Sequence, residues 1–154
     1  MKPIAICALA VLASALPAKA ADRPVTLTLD GRPVDRHGGI AVMRGDVVFA
    51  DASDAKSFNG LISLRRDGSA TITIGANTGT FVPAMPRARI NSRSVLLPGA
   101  PFLRNGDLYV PLNAFIARMA NARVRIDRRR ARADIVVNAN PLSRAASAAP
   151  RPAG

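Results

Sequence analysis

Asn105-Gly106-Asp107-Leu108-Tyr109-Val110-Pro111-Leu112-Asn113-Ala114-Phe115-Ile116-Ala117-Arg118-Met119-Ala120-Asn121 reads in order as a turn, a short strand and an amphipathic helix. Asn105 and Gly106 both tolerate positive φ, which makes the pair a strong hairpin-turn signal. Leu108, Tyr109 and Val110 form a short β-prone run. Pro111 stands where a helix would begin: its fixed φ suits the first turn, and the N–H it lacks would have had no partner there. Leu112, Phe115, Ile116 and Met119 then fall at i, i+3, i+4 and i+7, on one helical face. Asn121 can close the helix in a left-handed conformation.

The same order of elements precedes this stretch in a weaker form. Residues 25–29 alternate Val, Thr, Leu, Thr, Leu as a half-buried strand does, and Asp30-Gly31 turns the chain. The apolar residues 40–43, the Gly45-Asp46 turn and Val47-Val48-Phe49 predict two further strands. A short helix is expected over 51–59, with Asp51 or Ser53 as N-cap and Gly60 as its stop. Residues 61–65 and 70–74 are strands on either side of Asp67-Gly68. Residues 75–86 hold Gly, Asn, Thr and two prolines, and read as a connection with at most one short strand at Phe81-Val82. A hairpin follows around Asn91-Ser92. Beyond the central helix, 122–127 alternates again, Val124 and Ile126 against Arg123, Arg125 and Asp127. Arg128-Arg129-Arg130 turns, and 132–138 is the last strand.

This order occurs twice. Gly45-Asp46-Val47-Val48-Phe49 aligns with Gly106-Asp107-Leu108-Tyr109-Val110, and Thr71-Ile72-Thr73-Ile74 with Asp134-Ile135-Val136-Val137, at offsets of 61 and 63 residues. Self-similarity at a fixed period marks a repeated unit. The expected fold class is therefore α+β: a duplicated antiparallel-sheet module with one short helix per repeat, over about 25–75 and 87–138.

Composition bounds the rest. Met1-Lys2, the apolar run 4–16 and Ala18-Lys19-Ala20 predict a secretory signal peptide over 1–20, cut after Ala20. The apolar run is shorter than the ~20 residues a membrane-spanning helix needs. Export to a periplasmic or extracellular location follows as an expectation. The only cysteine, Cys7, would leave with that segment, so no disulfide framework is available. The net charge of the 154-residue chain is +12, which falls to +10 without Lys2 and Lys19. Nearly all of the remainder is arginine, which grips carboxylates and phosphates as a bidentate fork. Residues 139–154 are Ala, Pro, Ser and Arg with almost no large apolar side chain, the composition of a disordered tail.

The second half resembles the copper amine oxidase-like N-terminal domain, or stalk domain. The resemblance rests on residues 89–97, on Ala100-Pro101-Phe102-Leu103, on Asn105-Gly106-Asp107-Leu108-Tyr109-Val110-Pro111-Leu112, and on Val124-Arg125-Ile126-Asp127 with Ile135-Val136-Val137. In the first half Leu27-Thr28-Leu29-Asp30-Gly31-Arg32-Pro33-Val34 matches, whereas Ala50-Asp51 replaces the Pro-Leu pair. Asn113 and Asp107 stand where the family has Arg. The resemblance implies a non-catalytic accessory module of the cell envelope. It implies no oxidase, because that chemistry needs a tyrosine-derived quinone and three histidine ligands, and the chain has one His and one Tyr.

Enzyme chemistry finds few residues to use. His37 beside Asp35 has no second His and no Cys to complete a metal set, so no metal and no cofactor are expected. No Ser lies in a nucleophile-elbow motif, and the chain contains no Glu. Tyr109 and Phe115 are candidate stacking aromatics, but their positions suit core packing better. The candidate ligand-binding residues are Arg123, Arg125, Arg128, Arg129, Arg130 and Arg132, six cations within ten residues. They suit an anionic partner: a cell-envelope polymer or protein, or the surface of an anionic membrane. Nucleic acid is disfavoured because no aromatic platform interleaves with them. The competing reading is a protein–protein scaffold or spacer, whose arginines only solubilise the surface and protect a sheet edge.

Overall fold

Alternation of apolar and hydroxyl-bearing residues puts just over half of the described residues into strands in the computed structural model, which describes residues 21–34 and 37–137. The expected signal peptide over 1–20, the tail over 139–154, and Asp35 lie outside the described residues. The strands are β1 (Arg23–Leu29), β2 (Arg32–Pro33), β3 (Ala41–Arg44), β4 (Val47–Asp51), β5 (Leu61–Leu64), β6 (Ala70–Ile74), β7 (Asn77–Phe81), β8 (Arg87–Ile90), β9 (Arg93–Leu96), β10 (Phe102–Arg104), β11 (Asp107–Pro111), β12 (Ala122–Asp127) and β13 (Arg132–Val137). Two short helical segments interrupt them, a 3₁₀ helix at Ala52–Phe58 and a π-helix at Asn113–Ala117.

The strands form two sheets. The larger runs β10-β11-β4-β3-β1-β13-β12, with β2 hairpinned onto β1, and the smaller runs β5-β6-β7-β8-β9. β1 changes partner midway. Its first residues pair antiparallel with β3, Val25 opposite Ala41, and Thr26 to Leu29 pair parallel with Arg132 to Ile135. The expectation of a wholly antiparallel module is thus corrected at one pair, where the first strand of the fold lies beside the last.

Three further expectations change. Residues 75–86 contain a full strand, β7, which pairs with both β6 and β8. Its central residue explains why the alternation is faint. A Cβ on Gly79 would come within 2.9 Å of both the Met119 sulfur and the Phe81 ring, so only glycine lets Met119 lie against the strand. Pro111 ends β11, paired with Phe49, instead of opening the helix. The segment that follows is π-wound, and Leu112, Ala114, Phe115, Ile116 and Met119 are all buried along it. Finally, Asn59, not Gly60, takes the left-handed conformation that ends the 3₁₀ helix.

Both sheets contribute to one core. Ile72, Phe81 and Ile90 of the smaller sheet join Leu108, Val110 and Ile135 of the larger in the same cluster as Phe115 and Met119. Phe81 and Phe115 meet edge to face, centroids 6.4 Å apart. Asn77 ties the end of the helical segment to β7, donating through Nδ2 to the Met119 carbonyl at 2.8 Å. Its own Oδ1 accepts from Asn91 Nδ2 at 2.7 Å.

A second cluster forms from Phe49, Tyr109 and Phe102. Phe102 stacks on Tyr109 with centroids 5.3 Å apart, and the Arg44 guanidinium lies 3.7 Å over the Phe102 ring. Asp22 grips Arg44 in a fork of 2.7 and 2.8 Å, and that bond holds the guanidinium pKa above its ordinary value. Tyr109 and Phe115 are accordingly packing residues; the Tyr109 hydroxyl donates to the Ile40 carbonyl at 3.1 Å.

Candidate anion-binding face

The alternation in β12 places Arg123 and Arg125 on the exposed side of the sheet, as their sequence spacing requires. β12 pairs only with β13, so it is one of the two edge strands of the larger sheet. Arg123 lies opposite Val136, Arg125 opposite Asp134, and Asp127 opposite Arg132. Arg128, Arg129 and Arg130 occupy the turn between the two strands, all exposed. The structure thus brings five candidate arginines onto the edge strand and its turn, with Arg132 at the start of the adjoining inner strand β13.

Remote residues hold this turn in shape. Arg23 on β1 donates Nη1 to the Arg128 carbonyl and Nη2 to the Arg129 carbonyl, both at 2.9 Å. Thr26 donates its N–H to the Ala131 carbonyl at 2.9 Å. Asp127 Oδ1 accepts from the Arg130 N–H at 3.0 Å, a local side-chain-to-backbone turn bond. The contribution of Arg23 had no signal in the sequence, because nothing local ties it to a turn at the far end of the chain.

The same geometry neutralises part of the charge. Arg128 pairs with Asp46 at 3.2 Å, and Arg130 with Asp127 at 3.8 Å. Arg132 donates to Thr28 Oγ1 at 3.3 Å. Arg123 and Arg129 make no side-chain hydrogen bond or ion pair among the described residues. Arg128 and Arg130 are exposed, so their ion pairs are of the solvent-screened kind that contributes little to stability and opens readily for a competing anion.

Asp134 is the acidic centre of the face. Thr28 Oγ1 donates to it at 2.5 Å and the Gly31 N–H at 3.3 Å. The Thr28 bond, followed by the Gly31 bond and the charges of Arg132 and Arg125, holds its pKa below the ordinary carboxylate value. A carboxylate with a lowered folded pKa stabilises the fold above its unfolded pKa, and that stability is lost as pH falls through the folded value. Thr28→Val removes the largest cause. It is expected to flatten the acid limb of a melting-temperature profile below about pH 4. An unchanged acid limb would show that Thr28 does not set the Asp134 titration.

His37 is exposed, and its backbone N–H donates to Asp54 Oδ1 at 3.3 Å. It borders a groove of about 710 Å³ with Arg32 and Lys56. Among the described residues, no group of three or more His, Cys, Asp or Glu side chains stands close enough to hold a metal ion. No described helix is long and apolar enough to cross a membrane.

Sequence reading missed a second exposed surface. It is the outer side of β5–β9, where Thr71, Thr73, Thr78, Thr80, Arg87 and Arg89 alternate with buried residues. The missed strand β7 lies at its centre. Comparison with family models, with curated proteins and with solved structures finds no match for this chain.

Proposed function

We propose that this chain is a non-catalytic, exported accessory module that binds an anionic component of the cell envelope. The observation that carries the reading is the gathering of Arg123, Arg125, Arg128, Arg129 and Arg130 on a free edge strand and its turn, with Arg132 on the next strand and Arg123 and Arg129 unpaired among the described residues. Two arginines of the turn have their backbone clamped by Arg23. A pre-shaped cationic turn loses less conformational entropy on binding than a mobile one.

We also read the fold as a duplicated α+β module of the stalk-domain type. The antiparallel pairing of β4 with β11 supports this, with Ala50 opposite Val110 and Phe49 opposite Pro111. Those strands are counterparts in the two halves at the offset of 61 residues, so they lie about a local two-fold axis. The hairpins β3–β4 and β10–β11, each followed by a short helical segment and another hairpin, support it as well.

The test is retention of the protein on isolated cell-wall and membrane fractions at low and high salt. Salt-sensitive retention is expected, because exposed charges are screened over about a Debye length, ~10 Å at moderate salt. Arg123→Glu/Arg125→Glu/Arg129→Glu should abolish it and leave the melting temperature nearly unchanged. Retention that survives this reversal would overturn the reading. It would favour the scaffold alternative, which Asp46, Asp127 and Asp134 already support by offsetting part of the face's charge.

A further inference from the structure

The outer side of the smaller sheet is a grid set by strand register. One row across the strands is Ser63, Thr71, Thr80, Arg89 and Ser94. On one side of it stand Leu61, Thr73 and Thr78; on the other, Arg87 lies opposite Leu96. The residues between these rows (Ile72, Phe81, Ala88 and Ile90) point the other way and are buried. No Asp or Glu occupies any of these outward positions. Asp67, in the β5–β6 turn, has its carboxylate bonded to the Ser69 N–H and hydroxyl at 2.9 and 2.6 Å. This face therefore keeps a net positive charge without the internal carboxylates that divide the Arg123-to-Arg132 edge.

We propose that this face binds a linear acidic polysaccharide, with the sugar chain running across the strands. Neighbouring strands lie ~4.8 Å apart, so the central row presents one hydroxyl or guanidinium per step over about 19 Å. A hexopyranose chain advances by a similar distance per residue. Thr71 pairs with Thr80 at 3.4 Å and Thr73 with Thr78 at 3.2 Å through their hydroxyl oxygens. A hydroxyl pair of this kind uses one proton between its members and leaves the other proton and spare lone pairs for sugar hydroxyls. Arg87 and Arg89 supply the forks for the acid groups; Arg87 Nη1 reaches Ser94 Oγ only at 3.5 Å and is exposed. Two other partners fit less well. No aromatic side chain stands in these rows, so the stacking that single-stranded nucleic acid needs is missing. The exposed Leu61 and Leu96 stand on opposite edge strands and form no contiguous apolar patch for insertion into lipid.

The proposal is independent of the Arg123-to-Arg132 edge, and the experiment separates the two. Binding of the full chain to alginate is measured at low salt beside dextran, single-stranded DNA and phosphatidylglycerol vesicles. Alginate is expected to bind best and dextran not at all. Arg87→Gln/Arg89→Gln should weaken alginate binding about tenfold or more through the loss of charge-assisted bonds. Thr71→Val/Thr80→Val, which keeps shape and strand preference, should also weaken it. Arg123→Gln/Arg125→Gln should weaken it less than Arg87→Gln/Arg89→Gln does. No alginate binding at low salt, equal loss in the Arg123/Arg125 variant, or tighter binding to DNA or vesicles would overturn the assignment.

Discussion

Phe115→Ala is expected to lower the stability of the fold by about 3–5 kcal/mol, the range for a fully buried phenylalanine cut back to a methyl group. Phe115 is wholly buried and belongs to the cluster that both sheets share. Its ring meets Phe81 edge to face at 81°, so the deletion removes an aromatic pair as well as apolar area. Little is available to fill the space. Ile116 and Met119 are already held on the same short segment, and Met119 is pressed against Gly79. Chemical denaturation measures the loss directly. Asn113→Ala, an exposed change on the same segment, is the control and should shift the midpoint little. If Phe115→Ala cost no more than the control, the π-helical segment would not be the keystone between the sheets.

Asp51→Ala is expected to cost about 2–4 kcal/mol, from a lost N-cap together with the loss of the acceptor for a second, part-buried donor. Asp51 is buried, and its two oxygens have separate tasks. Oδ1 accepts the Ser53 N–H at 2.9 Å and caps the 3₁₀ helix. Oδ2 accepts the Gly39 N–H at 2.8 Å and fastens the preceding loop. The loop packs so closely that a Cβ at Gly39 would strike the Tyr109 hydroxyl, and one at Gly38 would strike the Asp51 side chain. Thermal melts of Asp51→Ala and Asp51→Asn test the assignment. The amide can still accept one of the two N–H bonds, so Asp51→Asn should lose less. Equal, small losses in both variants would mean that water replaces the carboxylate at no cost.

The short-range part of the architecture was legible in the residues. The Asn105-Gly106 turn, with both residues at positive φ, and the Asn91-Ser92 turn form as their types demand. So does the left-handed Asn121. The four apolar residues at helical spacing, Leu112, Phe115, Ile116 and Met119, are all buried. The outward set on β12 also follows from alternation alone. These features depend on backbone preferences and on periods of a few residues, so a local window contains the whole cause.

Other features depend on what lies across the space between distant segments. β7 carries too faint an alternation to be read, because its central Gly79 is dictated by the Met119 sulfur that lies against it. The parallel contact of β1 with β13 and the Arg23 clamp on the arginine turn join opposite ends of the fold. The pairing of Arg128 with Asp46 is equally invisible in either local sequence. By itself the sequence determined most of the turns, the inward side chains outside β7 and that arginine dominates its charge, because each is set by neighbours along the chain. Tertiary structure alone decided that Arg128 meets Asp46 and which surface is left cationic, because strand register selects those neighbours from segments far apart in the chain.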